Sequence, residues 1–293
     1  MPSYVSHAIM GEKVLDILKG EDLLPIDIND NVIKTSSLGV DLAHYSKVKF
    51  ISHDENTQSF FLNMISNIKE RRLMDDRDVL AVLYGHVAHF YMDKEIHPYI
   101  KYLEGGIKDN LILTAHRFLE GYFDYYLLDK IKHVDGYSFN VVNYALNYNF
   151  DSKNVKELLN NTYQKTYGIK NIIKSYKFTI TMLRCLEKLI KSKLIGSKDN
   201  LKKLVNYEKF VSNNLIIVDL LPNKYNDIWY HEYRDEIIND SLLDLYFKSI
   251  LKCIDAIEDI NKVLYKDKSI DILSKVFKNE SYITGVEKRM VLK

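Results

Sequence analysis

The feature that most constrains this chain is a long apolar run, "DDRDVLAVLYGHVAHFYMDKEIHPY", from Asp75 to Tyr99. Val79, Leu83, Val87 and Phe90 recur at near-helical spacing behind an acidic cap region at Asp75 and Asp76. Pro98 is expected to end the helix, because the residue before a proline is pushed out of the α region. The same run carries His86, His89, Asp93 and His97. A buried imidazole or carboxylate must be hydrogen-bonded, paired or metal-bound, since leaving it unsatisfied costs roughly 1–3 kcal/mol. Either these groups face water, or something binds them.

Around this run the rest of the chain reads as helix. Four prolines and eleven glycines in 293 residues, with long stretches of Leu, Ile, Lys, Glu and Tyr, disfavour a turn-rich sheet protein. From Thr57, a good cap residue, "TQSFFLNMISNIKERR" puts Phe60, Phe61, Met64, Ile65 and Ile68 on one face. A helix through "NLILTAHRFLEGYFDYYLLDKI" is apolar around most of its circumference and is expected to be central. Further helices are predicted at about 153–166, 170–194, 200–215 and 239–266, with "IGSKDN" and "LLPNKYND" as loops. Residues 1–56 are the least periodic part and read as loops, yet they hold His7, Asp41, His44 and His53. The expected fold is all-α: a single multi-helix domain over residues 1–268, followed by a peripheral helix or tail at 269–293.

Composition narrows the partners. Lys plus Arg (41) almost balance Asp plus Glu (40), so no overall field argues for nucleic acid or an anionic membrane, and no stable nucleic-acid complex is expected. Cys185 and Cys253 lie far apart without CxxC spacing, which fits a reducing compartment. The N-terminal "MPSYVSHAIMGEKVLDILKG" lacks the pattern of a signal peptide, and no segment has the roughly 18 apolar residues of a transmembrane span. A cytoplasmic location is the expectation.

A His at i and an acid at i+4 share a helix face, the spacing at which two side chains grip one metal ion. His89 with Asp93 and His116 with Glu120 both have it. With nine histidines and 40 acids, roughly one such pair arises by chance, and His231 with Asp235, read as a solvated helix face, illustrates the risk. Placement raises the odds for the first two pairs, because they lie on apolar-rich helices. His97 follows Asp93 by four residues and brings a third group to the same mouth, and His86, three residues before His89, could be a ligand or a partner that orients one, the latter being favoured.

An early His, a loop acid beside "HYS", a loop His, then H-x3-D-x3-HP and H-x3-E resembles the zinc-dependent phospholipase C family, whose all-helical fold is shared with single-strand-specific nucleases. The resemblance spans most of the chain and rests on "SHAIMG" (His7), "SSLGVD" (Asp41), "ISHDEN" (His53), "LYGHVAHFYMDKEIHPYI" (His89, Asp93, His97) and "TAHRFLEGYFD" (His116, Glu120). "NDIWYHEY" and "SLLDLYFKSI" are similar to later helices of intracellular members. The resemblance implies three zinc ions. His53, His89, Asp41 and Asp93 would surround one. Asp93 would bridge to a second, held also by His7 and the amino terminus, which would be Pro2 after removal of Met1. His97, His116 and Glu120 would hold the third. Pro2 is five residues from His7, up to roughly 18 Å of extended chain, so it can fold back.

The implied reaction is hydrolysis of a phosphodiester, with Asp41 positioning or deprotonating the attacking water. The substrate would be a phospholipid, a head-group ester or a nucleotide. Secreted members surround choline with aromatic and acidic residues near the loop acid, whereas here Leu42 follows Asp41; Tyr45 and Phe50 could supply aromatic walls, with ordinary packing the favoured reading. Two alternatives stand beside the phospholipase C-like reading: a nuclease or nucleotidase on the same fold, and an inactive zinc-binding protein.

Overall fold

The computed structural model describes residues 4–43, 53, 55–105, 112–134, 139–191 and 221–287. In chain order these form α1 (Tyr4–Gly20), α2 (Asp30–Ser36), a 3-10 turn (Gly39–Ala43), α3 (Thr57–Glu70), α4 (Arg77–Gly105) and α5 (Ile112–Leu127), which runs into a π-helical turn (Leu128–Lys132). Then come α6 (Val141–Ala145), α7 (Lys153–Tyr167), α8 (Ile172–Lys191), a hairpin of β1 (Trp229–His231) and β2 (Glu236–Ile238), α9 (Leu242–Tyr265), a 3-10 turn (Ile270–Ile272) and α10 (Leu273–Val276). The domain is all-α, and the small antiparallel hairpin is the exception among the described residues. Residues 192–220, which include the predicted 200–215 helix and the "IGSKDN" loop, lie outside the described residues.

The centre of the molecule is α4. Every residue from Val79 to Asp93 is buried, so this helix has no solvent face over four turns. Helices α1, α2, α5, α7 and α9 pack around it. Each large apolar side chain buried in this way contributes on the order of 1.5–3 kcal/mol. The helix at "NLILTAHRFLEGYFDYYLLDKI" is not the central one: α5 leaves Gly121 and Tyr125 exposed and covers only one flank of α4. Its length of apolar sequence overstated its burial, because Tyr125 lies on its outer side and Tyr122 is only partly buried, while Leu119, Phe123 and Tyr126 turn inward.

Pro98 does not end α4, which continues to Gly105. Proline removes one helical donor and strains the turn before it. Burial of Tyr99, Ile100 and Leu103 and tilted packing of the Tyr99 and Tyr102 rings against Trp229 offset that loss. Residues 4–43 are also not chiefly loops, although 21–29 connect α1 to α2 as turn and coil. Tyr4–Gly20 is helix, with Val5, Ala8, Ile9, Val14, Leu15 and Leu18 buried, and Asn29 caps α2 by accepting the Asn31 N–H. On α3, Phe60, Phe61, Met64, Ile65 and Ile68 are buried as expected, although Asn56 occupies the cap position and the Thr57 hydroxyl donates instead to the Glu280 carbonyl (2.9 Å). Ser241 opens α9 with a capping box: its hydroxyl accepts the Asp244 N–H and its own N–H donates to the Asp244 carboxylate.

The segment after α9, expected to be peripheral, returns to the centre. Tyr282 is buried against Phe90 of α4, and Lys94 pairs with Glu280. Residues 281–287 form a tight turn in which Ser281 N–H donates to the Val286 carbonyl (3.0 Å). Arg234, from the hairpin, donates to the Gly285 carbonyl (3.1 Å) and ties that turn down. No helix among the described residues is long and apolar enough to cross a membrane.

Candidate metal centre

Helical spacing along α4 sets the site. His89, Asp93 and His97 follow at intervals of four residues, so they line one stripe of a buried helix. Three other elements bring ligands to that stripe. Helix α1 supplies His7, the first 3-10 turn supplies Asp41, and α5 supplies His116 and Glu120, again four residues apart. His53 comes from the stretch between that turn and α3. His7, Asp41, His53, His89, Asp93 and Glu120 are buried, and His97 and His116 are partly buried.

Among the described residues these eight side chains form three groups in which the ligand atoms all lie within 4.8 Å of one another. They are His7 with Asp41 and His89, His53 with His89 and Asp93, and His97 with His116 and Glu120. The third group is the expected trio. The first two share His89 and so join five residues into one cluster, where the sequence reading placed His7 apart from Asp41. Pro2, His44, Tyr45 and Phe50 lie outside the described residues.

Asp93 stands at the junction. Its Oδ1 lies 3.1 Å from His7 Nε2, while Oδ2 lies 3.2 Å from His89 Nε2 and 3.9 Å from His97 Nδ1. Each carboxylate oxygen thus faces a different imidazole. Asp41 Oδ1 lies 3.1 Å from His53 Nε2, and Glu120 Oε1 lies 3.3 Å from His97 Nε2 and 3.0 Å from His116 Nε2.

Backbone carbonyls fix which ring nitrogen is bare. His89 Nδ1 donates to the Ser37 carbonyl (3.1 Å), and His97 Nδ1 donates to the Tyr282 carbonyl (3.0 Å). A neutral imidazole has one N–H, so the Nε2 of His89 then carries a lone pair. That lone pair faces another on Asp93 Oδ2, and both atoms are buried without a hydrogen-bond partner, as is His7 Nδ1. Two facing lone pairs repel unless a cation stands between them. The donor set of imidazoles and carboxylates without thiolates suits a divalent ion such as zinc in an open site. The residues therefore fit a metal, and the buried clusters can hold more than one ion.

Without a cation the same residues balance charge among themselves, and His97 then carries a proton on each ring nitrogen. Burial drives the His89 pKa down to about 3, against the pull of Asp93. Burial also opposes the charge on Asp93, yet His97, His89 and His7 hold its carboxyl far below the usual range. His97 shows the reverse balance: burial would lower it, but Asp93 and Glu120 push it up to about 10. Glu120 falls to about 2 because His116 and His97 outweigh its burial. A small cavity opens beside this trio, with Met92, Ile96, Ile100 and Phe123 on one side and Asp93, His97 and Glu120 on the other.

Three supports were not read from the sequence. Glu104, near the end of α4, accepts a hydrogen bond from His116 Nδ1. Tyr282 supplies both the carbonyl that orients His97 and an N–H that donates to the His53 carbonyl (2.9 Å), a backbone role without any side-chain signature. Asp124 accepts from the Ser6 N–H (2.8 Å) and hydroxyl, which docks the first turn of α1 on α5 next to His7. Asp124 did have a signal, since it continues the four-residue repeat of His116 and Glu120.

Two of the histidines weighed in the sequence fall elsewhere. His86 donates from Nδ1 to the Val82 carbonyl (2.8 Å) and accepts at Nε2 from the Tyr176 hydroxyl (3.1 Å), which in turn accepts from Tyr163 (2.8 Å). It touches no ligand of the site and is a satisfied core residue, not the orienting partner it was read as. His231 is not on a solvated helix face. It sits buried on β1, with its Nδ1 accepting the Arg234 N–H (3.3 Å), while Asp235 lies exposed in the turn. Helical periodicity misread a hairpin whose turn residue Asp235 has φ +55°. Comparison of the chain with protein-family models, with curated proteins and with solved structures finds no match in any of the three.

Proposed function

We propose that this protein is a zinc-dependent phosphodiester hydrolase of phospholipase C type. The observation that carries the reading is the placement of Asp93, whose two buried oxygens face His7 and His89 separately, beside a second ligand trio on His97, His116 and Glu120. A carboxylate placed in this way suits adjacent cations, and adjacent cations suit phosphoryl transfer better than they suit a closed structural site. The order of these ligands along the chain, and its resemblance to the zinc-dependent phospholipases C, supplies the reaction class.

In this reading His7, Asp41, His53, His89 and Asp93 hold ions in the joined cluster, and His97, His116 and Glu120 hold one more. When bound, zinc lowers the pKa of coordinated water toward about 7 and offsets charge on phosphoryl oxygens. The chain's own residues do the rest. Asp41, held against His53 and buried within the Gly39–Ala43 turn, orients the attacking water and accepts its proton. The carbonyls of Ser37 and Tyr282 keep His89 and His97 in the tautomer that leaves Nε2 bare.

The test is metal analysis of the purified, zinc-reconstituted protein, followed by assays on phosphatidylcholine vesicles and on a single-stranded oligonucleotide. Close to three zinc equivalents and release of a phosphorylated head group are expected. Cleavage of the oligonucleotide alone would move the reading to a nuclease. Metal without turnover on either would make the chain a zinc-binding protein, and absence of zinc would overturn the proposal.

A further inference from the structure

We infer that Glu104 is the positioning residue for His116, holding its imidazole in the tautomer and orientation that present Nε2 to the ion between His97, His116 and Glu120. The inference rests on the zinc reading above and adds to it a residue outside the ligand set.

His116 is the ligand that packing holds least. Its side chain is 26% exposed, against 13% for His97 and 0% for His89. It lies on α5, at the edge of the core, so its ring needs a polar partner to stay aimed inward. Glu104 supplies that partner from the last turn of α4. One carboxylate oxygen accepts from His116 Nδ1, and the other accepts from Lys101 Nζ at 2.8 Å. Both oxygens are therefore engaged, and Glu104, only 7% exposed, is fixed in place.

The direction of the hydrogen bond decides the function of the ring. With the proton on Nδ1, directed at Glu104, Nε2 has a lone pair 3.0 Å from Glu120 Oε1, inside the trio. His89 and His97 reach the same tautomer through backbone carbonyls. A carboxylate acceptor does more than a carbonyl: it makes the imidazole a more basic ligand, and loss of such a partner typically costs 10–100-fold in metal affinity. A surface ion pair would be the bland reading of Glu104 and Lys101. Burial of Glu104 and its contact with a ligand histidine argue against it.

The experiment compares wild type, E104Q and E104A as full-length, zinc-reconstituted proteins. Zinc affinity is read by competition with a chromophoric chelator, and the Nδ1–H proton of His116 is followed by NMR as a hydrogen-bonded downfield resonance. In E104A one zinc equivalent is expected to weaken by roughly 10–100-fold while the others are retained. E104Q, which keeps an acceptor oxygen, is expected to recover part of that loss and to keep the resonance. A general folding defect would weaken every equivalent alike and lower the thermal midpoint of both variants, and that result would overturn the assignment. So would E104A binding all its zinc as tightly as wild type, with the metal reading intact. Wild type that binds no zinc overturns the metal reading and this inference with it.

Discussion

Gly39 lies directly over the His89 ring: a Cβ at position 39 would sit 2.4 Å from His89 Cγ and Cδ2. The backbone there has φ +49°, a left-handed conformation that side chains resist. The Gly39–Ala43 turn can therefore bring Asp41 down onto His7 and His89 only because this position has no side chain. Gly39→Ala is expected to push the turn off His89, destabilise the fold by about 1–3 kcal/mol and weaken zinc binding in the joined cluster by at least about tenfold. Chemical denaturation of the zinc-free protein gives the first quantity, and chelator competition gives the second. An unchanged zinc affinity would mean that Asp41 does not depend on this contact.

Asp93 and His231 separate a ligand acid from a look-alike pair. Asp93→Asn removes the charge shared by His7, His89 and His97 while keeping the size of the side chain. Under the proposed function, loss of bound zinc together with loss of phosphodiester hydrolysis is expected. His231→Ala empties a buried position on β1 but touches none of the ligand groups. It is expected to cost stability, on the order of 1–3 kcal/mol, and to leave the zinc content unchanged. Metal analysis of the two variants side by side checks both outcomes, and the reverse pattern would sink the site assignment.

Five of the eight candidate ligands were legible in the sequence because helical spacing carries them: His89, Asp93 and His97 on one stripe, and His116 with Glu120 on another; His7, Asp41 and His53 entered only through the resemblance. The helical class was legible for the same reason. Periodicity failed where position depends on tertiary packing. Helix α1 has twelve successive buried or partly buried residues, Tyr4 to Leu15, around His7, and its apolar residues show too little one-sidedness to announce a surface helix. Helix α4 runs through Pro98 because buried neighbours outweigh a local rule. Tyr282 could not be found at all, since its contribution comes from its backbone, 185 residues away from His97. Glu104 lies 12 residues before His116 but on a different helix, and no sequence pattern links them.

His86 gives the molecule a pH dependence of its own, separate from the ligands. Burial lowers its pKa from 6.5 to about 4, and the bond to the Val82 carbonyl only partly opposes this. Unfolding releases the imidazole to take up a proton, so between about pH 4 and 6.5 the unfolded state binds more protons. Stability then rises with pH across that window and is lost as pH falls through it, with a slope of up to about 1.4 kcal/mol per pH unit from this group. His86→Gln, which cannot charge, is expected to flatten that slope while giving up some packing. Urea denaturation of the zinc-free wild type and variant at pH 4.5, 5.5 and 7 measures the difference. Parallel curves for the two proteins would show that His86 is not the source.

The turn at Gly285 connects the C-terminal segment to the metal centre, and it yields the last prediction. Pro98 cannot donate to the Lys94 carbonyl, so α4 presents that oxygen without its helical partner. Gly285 sits against it: a Cβ there would lie 2.7 Å from the Lys94 oxygen and 3.2 Å from Arg234 Nη2, at φ +66°. Three residues earlier, Tyr282 gives its carbonyl to His97 and its N–H to the His53 carbonyl. Gly285→Ala is expected to lift the turn from α4, cost about 1–3 kcal/mol, and release the constraint on His97. Arg234→Ala removes the anchor on the Gly285 carbonyl without any steric clash and is expected to act in the same direction, more weakly. Zinc titrations should show one equivalent loosened in both variants, and hydrogen exchange should show earlier opening at Tyr282. If Gly285→Ala lowers stability but leaves every zinc equivalent as tight as in wild type, the C-terminal turn stabilises the fold without orienting His97.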